Sequence, residues 1–354
     1  MKQNNKLSAA YRLSVPLFLC LLGLAVGGVA DARQGARPVS AVIAIPGGSR
    51  GIGFDDLEFS SRLDRVLVPA GATGDLDLVN PATLSVVTAG PLTGGSQYRG
   101  GHGEGVTSVA EDGNLLFVTD RTNQQIIVVN ATDDKVLLHA PLQSGPDYVR
   151  YLAAGHEVWV TEPDKKQIEV FKLTSRNGKP ILRHSTDIAI PGGPEALVFD
   201  HARQRAYTNL WRSTTVAINT RTKKVAARWY NTCQGSRGLA LAGHNHLLVA
   251  CTEGKVAELS TATGKVIASI EAPAGIDIIA YSSRLHHLYV PGAKQGRLAV
   301  IAVNRSGKLR RIGIWRTAKG AHCVTTSGSK AFVCDPAHGK ILVIDDHGSN
   351  DTRR

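Results

Sequence analysis

"NLLFVTDRTNQQIIVVN" (114–130) holds two short runs of aliphatic and β-branched residues, "LFVT" and "QIIVVN", joined by a polar turn. Runs this short, bounded by Asn, Asp and Thr, read as a hairpin of strands buried on both faces. The quartet recurs as "VLVP" (66–69), "VWVT" (158–161), "AYTN" (206–209), "LLVA" (247–250), "LYVP" (288–291) and "AFVC" (331–334). Its third residues are Val68, Val118, Val160, Thr208, Val249, Val290 and Val333, with steps of 50, 42, 48, 41, 41 and 43 residues. Seven copies at such a period mark a repeat architecture in which each unit is one supersecondary element.

Within a unit, an apolar strand precedes a polar turn such as "SSRLD" or "DHARQ", then comes the quartet. A strand like "TTVAINT" or "KILVID" follows, and a last strand like "KVAARWY" or "KVIASIE" ends the unit. Four short antiparallel strands per unit make a propeller blade. The seventh unit lacks a fourth strand, whereas "PVSAVIAIPGG" (38–48) is an orphan strand ahead of the first. The expected fold is therefore all-β: one seven-bladed β-propeller over 33–354, with the strand near 38–48 completing blade seven and removing open sheet edges.

The stretches "LFVTD…IIVVN", "VWVTEP…IEVF" and "LYVPGA…LAVIAV" resemble the YVTN-repeat β-propeller family of exported bacterial proteins, over roughly residues 38 to 346. "GPDYVRY", "GPEALVFD" and "GIDIIAYSSRLHHLYV" are similar to the longer repeat form of that family. The resemblance implies the fold and export. Its implication for function is broad, because such propellers include lactonases, lyases, dehydrogenase subunits and DNA-binding proteins.

Export is also read from residues 1–32. Lys2, Lys6 and Arg12 precede the apolar run "VPLFLCLLGLAVGGVA", and "ADA" ends at Ala32, where a signal peptidase would cut. Cys20 lies inside that run without a lipoprotein context. Cleavage leaves a periplasmic or secreted chain with no transmembrane segment, expected to be a monomer. Losing three basic residues and Asp31 takes the net charge from +12 (41 basic, 29 acidic) to +10 (38 basic, 28 acidic). The basic surplus suits a polyanion, DNA included, through "RTKKVAARW" and "RSGKLRRIGIWRTAKG" (305–320).

Four cysteines remain in the mature chain. Oxidising export favours Cys233–Cys251 in blade five and Cys323–Cys334 in blade seven, the latter directly opposite across a hairpin turning at Gly328 and Ser329. The competing reading is a soft metal held by Cys323, Cys334, His322 and His338. "HNH" (244–246) and "HH" (286–287) read as solvated turn histidines.

The loops leading into the first strands of the blades ring one mouth of the channel. Thirteen residues before each reference position stand Asp55, Gly105, Asp147, Glu195, Ser236, Asp277 and Gly320, with Glu104, Arg237 and His322 alongside. These make the candidate ligand-binding set: Asp55, Glu104, Asp147, Glu195, Arg237, Asp277 and His322. Converging carboxylates raise one another's pKa or recruit a cation, and His322, Asp277 and Glu195 are the candidate ligands of a divalent metal ion. The alternative reading pairs the acids with Arg150, Arg203 or Arg237 as inter-blade braces. Tyr148 and Trp211 offer flat surfaces for a sugar ring or base, and the glycine-rich loop "GGSQYRGGHGEG" (94–105), with His102 at its tip, reads as a cover.

No nucleophile elbow, CxxCH or HExxH is present. The expected function is an exported binding or scaffold protein taking a small molecule at the mouth or a polyanion on its surface. The alternatives are a metal-assisted hydrolase or lyase, lactonase-like, acting at the mouth, and an accessory role beside a periplasmic redox enzyme.

Overall fold

The structure, a computed structural model, describes residues 35–347. The signal-peptide expectation and Cys20 lie outside them. The described chain forms seven four-stranded antiparallel sheets, and in six of them the strands follow chain order. Blade one runs from Glu58 to Ala89, blade two from Val106 to Pro141 and blade three from Val149 to Ala189. Blade four spans Glu195 to Tyr230, blade five Ser236 to Glu271 and blade six Ala280 to Arg316. Only 3-10 turns accompany the strands, and among the described residues no helix is long and apolar enough to cross a membrane.

Burial explains the strand patterns. Second and third strands such as Leu115–Asp120 and Gln125–Asn130 are covered on both faces by neighbouring blades, so they read as continuous apolar runs. The outermost strands alternate, as in Val266–Glu271, because one face meets solvent. The first turns carry non-glycine residues at positive φ, among them Asp64 (50°), Gln204 (52°) and His286 (55°), which accounts for their polar character.

Blade seven consists of Val324–Ser327, Lys330–Asp335 and Lys340–Asp345, completed by Ala41–Ala44. Ala41 pairs with Val343 and Ala44 with Lys340, so both ends of the described chain share one sheet. The closing strand is shorter than the sequence indicates. After it, Gly48–Arg50 forms a 3-10 turn, while Arg37 bridges Trp315 of blade six in parallel register and stacks its guanidinium 4.9 Å from the indole. The first strand of each blade packs on that of the next, and blade seven meets blade one. Backbone bonds link the inner strands as well: Asp56 N donates to Thr107 O (3.0 Å), Gly238 N to Asp277 O (2.8 Å) and Ile278 N to His322 O (3.0 Å).

The cysteines pair as Cys233–Cys251 and Cys323–Cys334, with Cα separations of 5.1 and 5.6 Å. The blade-seven hairpin does turn at Gly328 and Ser329, since Ser327 opposes Lys330. Two expectations change. His246 is not a solvated turn residue, because its ring lies 2.5 Å from the buried Glu258. His287 is buried too, with Nδ1 2.6 Å from Asp346 Oδ2. The carboxylates come from the next strand of the same blade (Glu258) and from just past the strand Lys340–Asp345 of blade seven (Asp346), which local sequence does not reveal.

Candidate functional site

The mouth is built around Arg121, which follows the second strand of blade two. Its Nη2 donates to Asp55 Oδ2 (3.0 Å) and Asp147 Oδ1 (2.7 Å), its Nε to Pro146 O (2.7 Å) and its Nη1 to His102 O (2.6 Å). One guanidinium thus ties the loops leading into blades one, two and three. His102 folds into the same cluster, with Nδ1 2.9 Å from Asp55 Oδ2 and Nε2 3.8 Å from Asp277 Oδ2. Its ring stacks on that of His322, the centroids 5.2 Å apart.

The glycines of the His102 loop permit this approach. At Gly105 φ is 71° and a Cβ would lie 1.9 Å from Gly71 O, while at Gly53 a Cβ would lie 2.6 Å from Gly101 O. Without side chains at those positions, the loop settles onto blade one and delivers His102 to the mouth.

Further round the ring, Trp211 Nε1 donates to Glu195 Oε2, and Arg237 Nε stands 3.8 Å from Glu195 Oε1 and 3.9 Å from Asp277 Oδ1. Trp211 remains half-exposed. His102, Arg121, Asp147, Glu195, Trp211 and Asp277 line a cleft of about 530 Å³. Within it, Asp147 Oδ2 is buried and has no hydrogen-bond partner.

The carboxyls differ in acidity. Burial acts to raise Asp55, but the charge and hydrogen bond of His102, with Arg121, outweigh it and hold the group below its ordinary value. Burial pushes Asp147 up to about 7 against the opposing pull of Arg121. Glu195 is raised well above the usual range by burial and by the neighbouring charges of Asp147 and Asp277. His102 is raised to about 9, chiefly by the Asp55 carboxylate.

The structure brings together Asp55, Asp147, Glu195, Arg237, Asp277 and His322. Glu104 stands apart, exposed and bonded to Ser96 Oγ (2.6 Å). Of the three proposed metal ligands, His322 and Asp277 have donor atoms within 4.8 Å of each other, and His102 joins them where the sequence pointed to Glu195. Glu195 is turned instead toward Trp211 and Arg237. Of the thiol-rich alternative, His322, Cys323 and Cys334 come within 4.8 Å of one another, but the two sulfurs are paired with each other and His338 turns to Asp335 (2.9 Å). Tyr148 is buried beneath the mouth, leaving Trp211 as the exposed ring. Arg121 was legible only as a residue just past a strand end. His102 carried a stronger signal, a histidine flanked by glycines.

Of the arginines offered as braces for the mouth acids, Arg237 stands near Glu195 and Asp277, Arg203 turns to Asp200 of its own blade (3.4 Å), and Arg150 braces acids outside the mouth column. Arg150 donates to both oxygens of Asp56 (2.5 and 3.1 Å) and lies 2.8 Å from Glu58 Oε1. The candidate site therefore belongs to a seven-bladed β-propeller with a charged, partly unsatisfied channel mouth.

No family model and no curated protein matches the chain. Solved structures do match. A chain of the mitotic checkpoint complex aligns at 14% identity and TM-score 0.70, over 96% of this chain and 98% of that one. Hydrazine synthase of Kuenenia stuttgartiensis aligns at 12% and 0.69, over 90% and 99%. Virginiamycin B lyase from Staphylococcus aureus aligns at 11% and 0.65, over 86% and 98%. Likeness at these identities is a likeness of fold, shared by a complex component and a lyase alike.

Proposed function

We propose that the protein is an exported propeller, of the kind the YVTN-like repeats resemble, that binds a small polar molecule at the channel mouth. The observation that carries this is the cleft itself. Residues from the loops of five blades converge on it, and one of its buried acceptors, Asp147 Oδ2, has no protein partner. Buried polar atoms are normally satisfied, so an orphan oxygen on a residue of the cleft wall points to a ligand that donates to it. Trp211 supplies an apolar face for a sugar-like or heterocyclic ring, with Glu195 at its indole N–H and Arg237 over the ring, 5.9 Å from its centroid. The leader-like residues 1–32 and the two cysteine pairs both support export to an oxidising compartment.

The polyanion reading is weaker. The two basic strands, Lys224–Tyr230 and Leu309–Arg316, are the outer strands of blades four and six, with blade five between them, so they do not form one continuous face. A catalytic reading of the mouth, as a hydrolase or lyase, rests on the divided acidities of Asp55 and Asp147, which suit general acid–base work.

The test is a calorimetric screen of neutral and amine-bearing sugars and heterocycles against chelator-treated mature protein. We expect a ligand whose affinity falls about tenfold or more in both Trp211→Ala and Asp147→Asn, a loss of about 1.4 kcal/mol or more. Binding indifferent to both variants would place the site elsewhere. Binding that collapses steeply with salt would favour the polyanion.

A further inference from the structure

We infer that His102, Asp277 and His322 hold a divalent first-row transition ion at the mouth, with Asp55 orienting His102. The inference rests on the mouth being the binding site and names an inorganic component of it. Their ligand atoms lie within 4.8 Å of one another. His102 Nε2 and Asp277 Oδ2 are 3.8 Å apart. Donors about 2.0–2.2 Å from a shared ion reach that separation at a ligand–metal–ligand angle of roughly 130°, an open but ordinary value.

On the far side of the ring, His102 Nδ1 meets Asp55 Oδ2 at 2.9 Å. That arrangement fixes the imidazole orientation with Nε2 toward the cleft, as the outer carboxylate of a histidine-ligated metal does. His322 lies against two carbonyl oxygens, Gly320 O (2.7 Å) and Phe54 O (2.9 Å). Its ligation exchanges one of these contacts for the ion. Two imidazoles and one carboxylate select a borderline ion such as Zn²⁺ or Co²⁺ over Ca²⁺ or Mg²⁺, which prefer oxygen. Asp147, whose Oδ2 has no hydrogen-bond partner, belongs to the wall of the same cleft as His102 and Asp277.

A second set of donors on blade three serves as an internal control. Glu169 and Asp187 stand directly opposite across two strands, and a bulge at Val170/Phe171 places His184 beside them. The same bulge position recurs in blades two, four, five and six, so it belongs to the fold rather than to a metal site.

The experiment uses untagged mature chain, stripped with chelator and titrated with Zn²⁺ by calorimetry and with Co²⁺ by visible absorption. We expect one ion per chain and no displacement by millimolar Ca²⁺ or Mg²⁺. His102→Ala and Asp277→Asn should each weaken binding about 100-fold or more, Asp55→Asn about 10–100-fold. His184→Ala should change nothing. Circular dichroism and melting in chelator verify that each variant is folded. Absence of stoichiometric binding overturns the inference, as does binding that survives both His102→Ala and Asp277→Asn, or that is lost in His184→Ala. The ion is titrated alone, so its result is separate from that of the organic ligand. Trp211→Ala, which leaves all three ligands intact, should lose the organic ligand and keep the ion.

Discussion

Asp55 and Asp56 are consecutive residues, each bridged by an arginine from another blade, yet the two bridges differ in what they leave over. Inside the channel, Asp56 takes both of its arginine bonds from Arg150 and a third from Ser108 Oγ (2.5 Å), while Arg150 Nη2 also meets Glu58. Blades one, two and three are thereby joined through a network with no orphaned oxygen on Asp56. At the mouth, Arg121 spans Asp55 and Asp147 in the same manner, but Asp147, a residue of the cleft wall, keeps an Oδ2 without a partner. A saturated buried network fixes structure, and an unsaturated one at a cleft is poised for a guest. The comparison separates two readings of arginine–carboxylate pairs that look alike in sequence.

The largest expected effect lies in the interior. Arg150→Ala leaves the buried Asp56 without its arginine and should cost about 3–5 kcal/mol in urea denaturation. A cost under about 1 kcal/mol would dissolve the distinction between brace and mouth. Replacing both Cys233 and Cys251 with serine should cost about 2–3 kcal/mol, since the bridge closes a short loop of 18 residues. That loss would appear in the melting temperature while ligand affinity at the mouth stays near its original value.

In chelator-treated protein the mouth adds a pH dependence. His102 is raised to about 9 from an ordinary value of 6.5, so its stabilisation is complete below pH 6.5 and is lost as pH rises through about 9. Asp147, raised to about 7 from 3.8, likewise loses stability for the fold as pH climbs between those values. The melting temperature should therefore decline from pH 6.5 to 9, and His102→Ala should flatten that limb. An unchanged slope in the variant would mean that His102 does not carry the charge assigned to it.

Much of this was legible in the sequence. The quartets gave the blade count because a strand covered on both faces must be apolar throughout, and the unpaired runs at the two ends implied ring closure. Cys323 and Cys334 were readable as partners because a two-residue turn dictates which residues stand opposite. Glu104 shows the limit. It lies one position from Gly105 in the mouth column, yet the conformation of Gly105 turns it to solvent and Ser96. His246 and His287 show the same limit from the other side, since their burial depends on carboxylates that the fold brings from elsewhere in the chain.

The sequence by itself determined the number of blades, the closure and the existence of a charged mouth, because these follow from strand periodicity and from repeated placement along the chain. Only the tertiary structure decided which charges meet there. His102 and His322 are 220 residues apart, and Asp55 lies 47 before His102, so their contacts depend on loop conformation and on the angle between blades. No local pattern encodes those quantities, and they set two arginine bridges along the channel, a complete one inside it and an open one in the ring of acids at its mouth.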